Sequence, residues 1–165
     1  MEQNELARIS ASAPRRMIGV GALLGLGGLL LYVALATPMN SVLWQGVLLL
    51  CGLVALWASQ MMWKATGITL ILTEDGLFED TGTVLALMDN IAKVDRSPFA
   101  LKPSNGFLVL LKEPAPRAWR PGLWWRTGKR VAIGGVTSGG ATKPVADIMT
   151  LRLVQRAEEA AGKND

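Results

Sequence analysis

Apolar and charged residues divide the chain into two unlike parts. Residues 17–63 contain no Lys, Arg, Asp or Glu, so all 17 basic and 13 acidic residues lie outside this block. A helix that crosses a membrane needs about 20 apolar residues, and the block is therefore long enough for two such helices and a turn. The polar segment 37–41, TPMNS, marks the turn. The pattern predicts an antiparallel transmembrane hairpin with spans at 17–36 and 42–63.

A secretory signal is the alternative interpretation of the first span. Two arginines, a long apolar run and the sequence Ala34-Leu35-Ala36 resemble such a signal with its cleavage site. The apolar run is longer than usual and a second span follows at once, which favours the hairpin. Three arginines precede the first span and Lys64 follows the second. By the positive-inside rule both termini are expected in the cytoplasm, and the expected location is the bacterial inner membrane.

Small residues recur at helical spacing in both spans and predict close packing of helices. The absence of charged side chains within the spans argues against a transporter or channel. Three partners for these residues remain open: the other helix of the hairpin, a second copy of the chain, or another membrane protein. Cys51 is expected to be a small packing residue, because hydrocarbon disfavours the thiolate. The candidate packing residues are Gly21, Gly25, Gly28, Cys51, Ala55 and Ser59.

Residues 66–165 have the composition of an ordinary folded domain, so the predicted organisation is an N-terminal segment 1–16, the hairpin and this domain. Short β-rich runs separated by turn signals are followed by one amphipathic helix, which must cover a sheet or a barrel end. The predicted fold class is a membrane helical hairpin with a mostly-β, α+β domain. Strands are expected at 68–72, 77–78, 84–88, 91–96, 107–111 and 129–133. The helix is expected from about Thr142 to Gly162, with a core stripe of Ala146, Met149, Leu153, Ala157 and Ala160.

The composition excludes several kinds of catalysis. The chain has no His and one Cys, which rules out histidine-dependent nucleophiles, disulfides and Cys/His metal cages. The adjacent carboxylates at 74–75 and 79–80 lie at turns, where solvation is the usual role. The glycine-rich segment 134–140 lacks the Lys and Ser/Thr of a phosphate-binding loop and is expected to be a connector. We expect no cofactor, no metal and no enzymatic activity.

The segment 112–130, KEPAPRAWRPGLWWRTGKR, is expected to be a long loop that carries the contacts of the protein. It has six basic residues against Glu113 and holds three of the six tryptophans. Cations and indole rings both favour a membrane interface. Alternatively, the tryptophans pack the open edge of a sheet while the arginines stay solvated. The lipid- or partner-contact candidates are Arg117, Trp119, Arg120, Trp124, Trp125, Arg126, Lys129 and Arg130.

The order of these elements resembles the bacterial PH-like domains found in small two-span membrane proteins. The resemblance is carried by the segments 68–73, 76–78 (GLF), 87–94 and 107–111, and by the closing helix. It implies a seven-stranded, strongly bent sheet capped by that helix, and it does not imply an enzyme. Phosphoinositide-binding PH domains use basic residues in their first hairpin loop. Here that loop is Glu74-Asp75-Gly76, so inositol phosphates are not expected there.

The sequence therefore predicts a non-enzymatic interaction module anchored in the membrane, acting as an accessory, assembly or scaffold subunit at the cytoplasmic surface. An anionic-lipid sensor is one alternative, and a membrane-anchored enzyme that uses carboxylates is another. The expected partners are membrane lipids, another membrane protein or a second copy of the chain. Nucleic acid is not expected, because the domain is tethered at the membrane.

Overall fold

The structure, a computed structural model, describes residues 5–37, 41–97 and 102–162. The middle of the predicted turn, 38–40, and residues 98–101 lie outside these residues, as does the side chain of Ala160. The elements are β1 (Glu5–Ile9), α1 (Ala13–Ala36), α2 (Val42–Ala65), β2 (Leu70–Thr73), β3 (Gly76–Glu79), β4 (Val84–Leu87), a short 3-10 turn (Met88–Asn90), β5 (Ile91–Asp95), β6 (Phe107–Arg120), β7 (Trp124–Ile133) and α3 (Gly139–Gly162).

The two apolar runs form the packed helices α1 and α2, as predicted, with each span a few residues longer than expected. Both helices are long and apolar enough to cross a membrane, and only 17% of each apolar stretch is buried within the chain. A core helix of a soluble protein would be mostly covered by its neighbours. Large apolar side chains such as Leu35, Leu43 and Trp57 are exposed instead. These properties are compatible with a two-span membrane protein.

The α1–α2 contact is made by small residues that recur every seven positions on α1. Val20, Gly27 and Ala34 are the buried residues of α1. A Cβ atom added to Gly27 would lie 2.8 Å from Cδ2 of Leu56 and 3.0 Å from the carbonyl oxygen of Gly52, so only glycine fits there. This close approach of two backbones is the usual packing mode of membrane helices.

Of the predicted packing residues, two on α2 lie in the α1–α2 contact, whereas the three glycines on α1 lie outside it. Ala55 and Ser59 are buried, and the Ser59 hydroxyl donates to the carbonyl oxygen of Val20 at 3.2 Å. Cys51 is exposed, and Gly52 occupies the contact in its place. A Cβ added to Gly21, Gly25 or Gly28 would meet no atom within 4 Å. Glycines occur on two faces of α1, and their spacing alone does not decide which face meets α2.

We expect Gly27→Val to separate the helices and lower the melting temperature of the full chain in detergent micelles. The valine would have to displace Leu56 and the Gly52 backbone, and such overpacking typically costs about 1–3 kcal/mol. Gly25→Val is the matched control, because the space around Gly25 is open. Melting temperatures are measured by circular dichroism. Equal values for the two variants would contradict the observation that Gly27, and not Gly25, faces α2.

The strands form two antiparallel sheets, ordered β1-β2-β3-β4 and β5-β6-β7, and α3 packs on them. β1 was not expected, since residues 1–16 were assigned to a separate segment and the domain to 66–165. Instead, Ile9 pairs with Leu70 and both side chains are fully buried. The five-residue strand is too short and too weakly alternating to be recognised by itself. The apolar helical hairpin is thus inserted between two adjacent strands of one sheet.

The prediction of a loop at 112–130 is wrong, because most of this segment belongs to the long hairpin β6–β7. Its prolines and glycines suggested a loop, but Pro114 and Pro116 fall where the strand register shifts, between Leu110 and Ala115 and between Ala115 and Ala118. Pro121 and Gly122 form the turn at the tip of the hairpin. The hairpin curls, so its tip returns to the segment after β7. The amide of Val136 donates to the carbonyl oxygen of Gly122 at 3.0 Å.

The remaining strands agree with prediction to within two residues, and α3 begins three residues earlier than expected. Ala146 and Met149 are buried, and Leu153 is half-buried. Ala157 is exposed, so the predicted core stripe is wrong at that position. Only the N-terminal part of α3 packs on the sheets, and its C-terminal part extends past them. A periodic apolar pattern predicts which face of a helix is apolar, but it does not predict where along the helix the packing ends.

We expect a soluble domain to form when residues 10–69 are replaced by an Asn-Gly turn, because Ile9 and Leu70 are already opposite each other at the ends of paired strands. Residues 70–162 without β1 are the control. They lack Ile9, whose burial contributes about 2 kcal/mol, and they expose the edge of β2. Size-exclusion chromatography and thermal melting compare the two. If both are equally monomeric and stable, β1 is dispensable.

Candidate functional site

The start of α1 is fixed to the segment that precedes α3. The amide of Ser12 donates to the carbonyl oxygen of Val136 at 2.9 Å. The guanidinium of Arg15 donates through Nη1 to the carbonyl oxygen of Thr137, also at 2.9 Å. Ala11 forms a β-bridge with Thr137. The helix α1 therefore leaves the domain from a defined point.

The end of α2 meets the same region of the domain. The guanidinium of Arg16 stacks over the Trp63 ring, 4.0 Å from its centroid, and Nη2 donates to the Trp63 carbonyl oxygen at 2.8 Å. At the tip of β6–β7, a Cβ added to Gly122 would lie 3.1 Å from Cε of Met62 and 3.2 Å from Cγ2 of Thr66. The tip is thus packed on the last turns of α2, and the domain is docked on the hairpin.

Trp124, one of the predicted contact residues, lies in the core. It is 2% exposed, and its Nε1 donates to Oε1 of Glu79 at 2.9 Å. The prediction that it contacts lipid or a partner is wrong, because the strand alternation directs it inward while Trp125 turns outward.

Glu79 is the buried centre of an ion-paired cluster that joins the two sheets. Its side chain is fully buried, and Arg120 donates to it through Nε at 2.8 Å and Nη2 at 3.1 Å. The Thr81 hydroxyl adds a bond of 2.7 Å. Burial alone would raise the pKa of Glu79, but the hydrogen bonds from Arg120, Thr81 and Trp124 outweigh it and lower the pKa from 4.5 to about 2.

The expectation that Glu79 is a solvated turn residue is therefore wrong. It lies two positions after Leu77 on β3, and residues i and i+2 of a strand share a face. That alternation could have identified it as buried. Because Arg120 is held by Glu79, Arg120 acts first as a structural cation, although its side chain remains 40% exposed.

Arg126 closes the gap between β7 and β4. Its Nη1 donates to the carbonyl oxygens of Val84 at 2.8 Å and Leu85 at 2.9 Å, and its Nε donates to the carbonyl oxygen of Pro116 at 2.7 Å. These three carbonyl groups would otherwise need water or another strand as a partner. Arg126 was predicted as a contact residue, and the structure assigns it a structural role.

Five of the eight predicted contact residues remain at the surface of β6–β7. Trp119 is 58% exposed and is paired in register with the half-buried Trp125. Both tryptophans and Arg117 line one surface cleft of about 330 Å³. We call the five residues the β6–β7 contact surface; Trp119 and Trp125 lie beside the tip that packs on α2, whereas Lys129 and Arg130 lie further along β7. Its members are Arg117, Trp119, Trp125, Lys129 and Arg130.

We expect Glu79→Gln to lower the free energy of unfolding by about 2 kcal/mol at pH 7, the scale of hydrogen bonds to a charged group. The pKa of Glu79 is lower in the folded chain than in the unfolded chain, so its stabilisation is complete above pH 4.5 and is lost as the pH falls towards 2. The difference from the unmodified chain should shrink over that window in thermal melts.

Glu113→Gln is the control for this measurement, because Glu113 is exposed and its side chain makes no hydrogen bond or ion pair within the described residues. It should leave the melting temperature unchanged at each pH. A Glu79→Gln effect that is independent of pH would contradict the lowered pKa.

Comparison with protein-family models found no match, and searches of curated proteins and of solved structures found no significant match.

Proposed function

We propose that the chain is a non-enzymatic interaction module of the bacterial inner membrane, with α1 and α2 as its anchor and the β6–β7 contact surface as its working surface. The observation that carries this proposal is the packing of Gly122, at the tip of β6–β7, against Met62 and Thr66 at the end of α2. This contact supports a position of Trp119 at the level of the lipid headgroups.

The placement of β1 supports the proposed topology. Because β1 and β2 pair, both ends of the hairpin lie on one side of the membrane. Arg8 on β1, Arg15 and Arg16 in the first turn of α1, and Lys64 near the end of α2 favour the cytoplasmic side. Cleavage after Ala36 would remove β1 and its buried Ile9 from the sheet, which favours an uncleaved first span.

The strand arrangement supports a PH-like classification of the domain. Two antiparallel sheets of four and three strands make up the seven strands that the resemblance implies, and α3 packs on them as the closing helix. In this proposal the membrane hairpin occupies the connection between the first two strands.

The chemistry of the contact surface supports recognition by contact. Indole rings prefer the boundary between headgroups and hydrocarbon, and each nearby cation contributes about 1 kcal/mol of attraction to anionic lipid. Trp119 is largely exposed although it is a large apolar side chain, and such surfaces mark interaction sites. Arg117 lines the same cleft and supplies positive charge beside the ring.

We expect p-benzoylphenylalanine in place of Trp119 to cross-link strongly in native membranes, since the position is held against the membrane surface. The same photoreactive residue in place of Glu113 is the matched control. Glu113 is exposed on β6 and lies beside Asn90, away from the docked tip. Mass spectrometry of the adducts gives the readout.

Adducts with one protein at fixed stoichiometry would support the accessory-subunit role, and adducts with anionic lipid alone would favour the lipid-sensor alternative. If position 119 yields no more adducts than position 113, the β6–β7 contact surface is not the working surface and the proposal is wrong.

A further inference from the structure

A second basic site lies on the domain, separate from the β6–β7 contact surface. It is a cavity of about 330 Å³ between the segment that follows β5, the residues leading into β6 and the first turns of α3. Its walls include three basic residues and few acidic ones. The polar and aromatic residues around it are Arg96, Lys102, Asn105, Thr142, Lys143 and Phe107.

The basic side chains around this cavity outnumber the acidic side chains that neutralise them. Arg96 forms an ion pair with Asp147, and the Lys102 ammonium donates to the carbonyl oxygen of Arg96 at 2.7 Å. Within residues 5–37, 41–97 and 102–162, Lys143 makes no hydrogen bond or ion pair. Asp147 pairs with Arg96 and Asp95 attracts Lys102, so the three cations face two carboxylates and the charge of Lys143 is left uncompensated. The cavity therefore keeps excess positive charge for an anionic ligand.

The walls of the cavity are pinned in place by the domain. The Thr142 hydroxyl donates to the carbonyl oxygen of Asn105 at 2.5 Å, which ties α3 to the segment before β6. A Cβ added to Gly106 would lie 1.8 Å from the carbonyl oxygen of Ile133, so this segment packs directly on the end of β7. A site whose walls are already ordered loses little conformational entropy when a ligand binds.

The cavity lies at the end of the domain that meets the membrane hairpin. The carbonyl oxygen of Ser104 accepts from the amide of Gly135 at 2.9 Å, and Ser12 at the start of α1 bonds the next residue, Val136. Pro103 lies in the cleft beside Trp119, and Lys102 precedes it. The cavity is thus held near the first turn of α1, where the headgroups of a surrounding bilayer begin.

We propose that this cavity binds a phosphate group through Lys102, Lys143 and Arg96. Three cationic side chains around a space of this size suit a compact anion with several acceptor oxygens. The phosphate belongs either to an anionic phospholipid headgroup or to a soluble phosphate compound, and both present the same chemistry to the three cations. This inference goes beyond the proposed function, because it does not require Trp119 to contact anything.

The test compares the purified full chain with the double variant Lys102→Gln and Lys143→Gln. The matched control is Lys93→Gln with Lys112→Gln, which removes the same charge from exposed residues outside the cavity. Circular dichroism establishes that each variant keeps its fold. One arm titrates inorganic phosphate against the chain in detergent micelles, with chloride at equal ionic strength as the reference, and follows the melting temperature.

The other arm incorporates the chain into nanodiscs of phosphatidylglycerol and phosphatidylcholine and counts retained phosphatidylglycerol by native mass spectrometry. We expect binding in at least one arm, weakened roughly fivefold for each cavity lysine removed and much less in the matched control. Phosphate binding in micelles without lipid retention identifies a soluble ligand, and lipid retention identifies a headgroup.

Equal binding by the cavity variant and the matched control in both arms would overturn the proposal, as would no binding by the unmodified chain. The proposed function is tested independently, because position 119 is unaltered in all of these variants and its cross-linking is a separate measurement.

Discussion

The antiparallel pairing of β1 with β2 is the interaction on which the rest of the structure depends. β1 precedes α1 and β2 follows α2, so the pairing closes a loop that contains the whole apolar hairpin. Ile9 and Leu70 lie opposite each other in the core, which brings both ends of the hairpin to one edge of the sheet. The domain is consequently held at the base of the apolar hairpin by two short connections, and the docking contacts of Arg15 and Gly122 set its orientation.

Some basic and aromatic residues of β6–β7 form contacts within the chain, and others are exposed to the outside. The sequence does not show which residue belongs to which group. Arg120 and Trp124 satisfy the buried carboxylate of Glu79, and Arg126 satisfies the edge carbonyls of β4. An unpaired carboxylate in that position would be costly, so these partners are needed for the two sheets to close. Only the residues left over, above all Trp119, are available for contacts outside the chain.

The exposed Trp119 and the cations of the cavity lie near the end of the domain that contacts α1 and α2. Trp119 and the cavity around Lys143 lie on either side of the segment from Lys102 to Gly106. Electrostatic attraction to anionic headgroups falls off within roughly 10 Å at physiological salt, so cations are effective only when they are held this close. In the proposed function, the docked tip and the paired β1 supply that proximity without a flexible tether.

The sequence by itself determined the two spans, most of the short strands and the closing helix, because charge-free length, alternation and helical periodicity are local signals. It also singled out the segment 112–130. Only the tertiary structure decided that β1 joins the sheet, that Gly27 rather than Gly25 meets α2, and that Trp124 is buried while Trp119 is exposed. Each of these depends on contacts between residues far apart in the chain. The local pattern identifies which faces of helices and strands are apolar. The element that packs against each face is decided by tertiary contacts between distant parts of the chain.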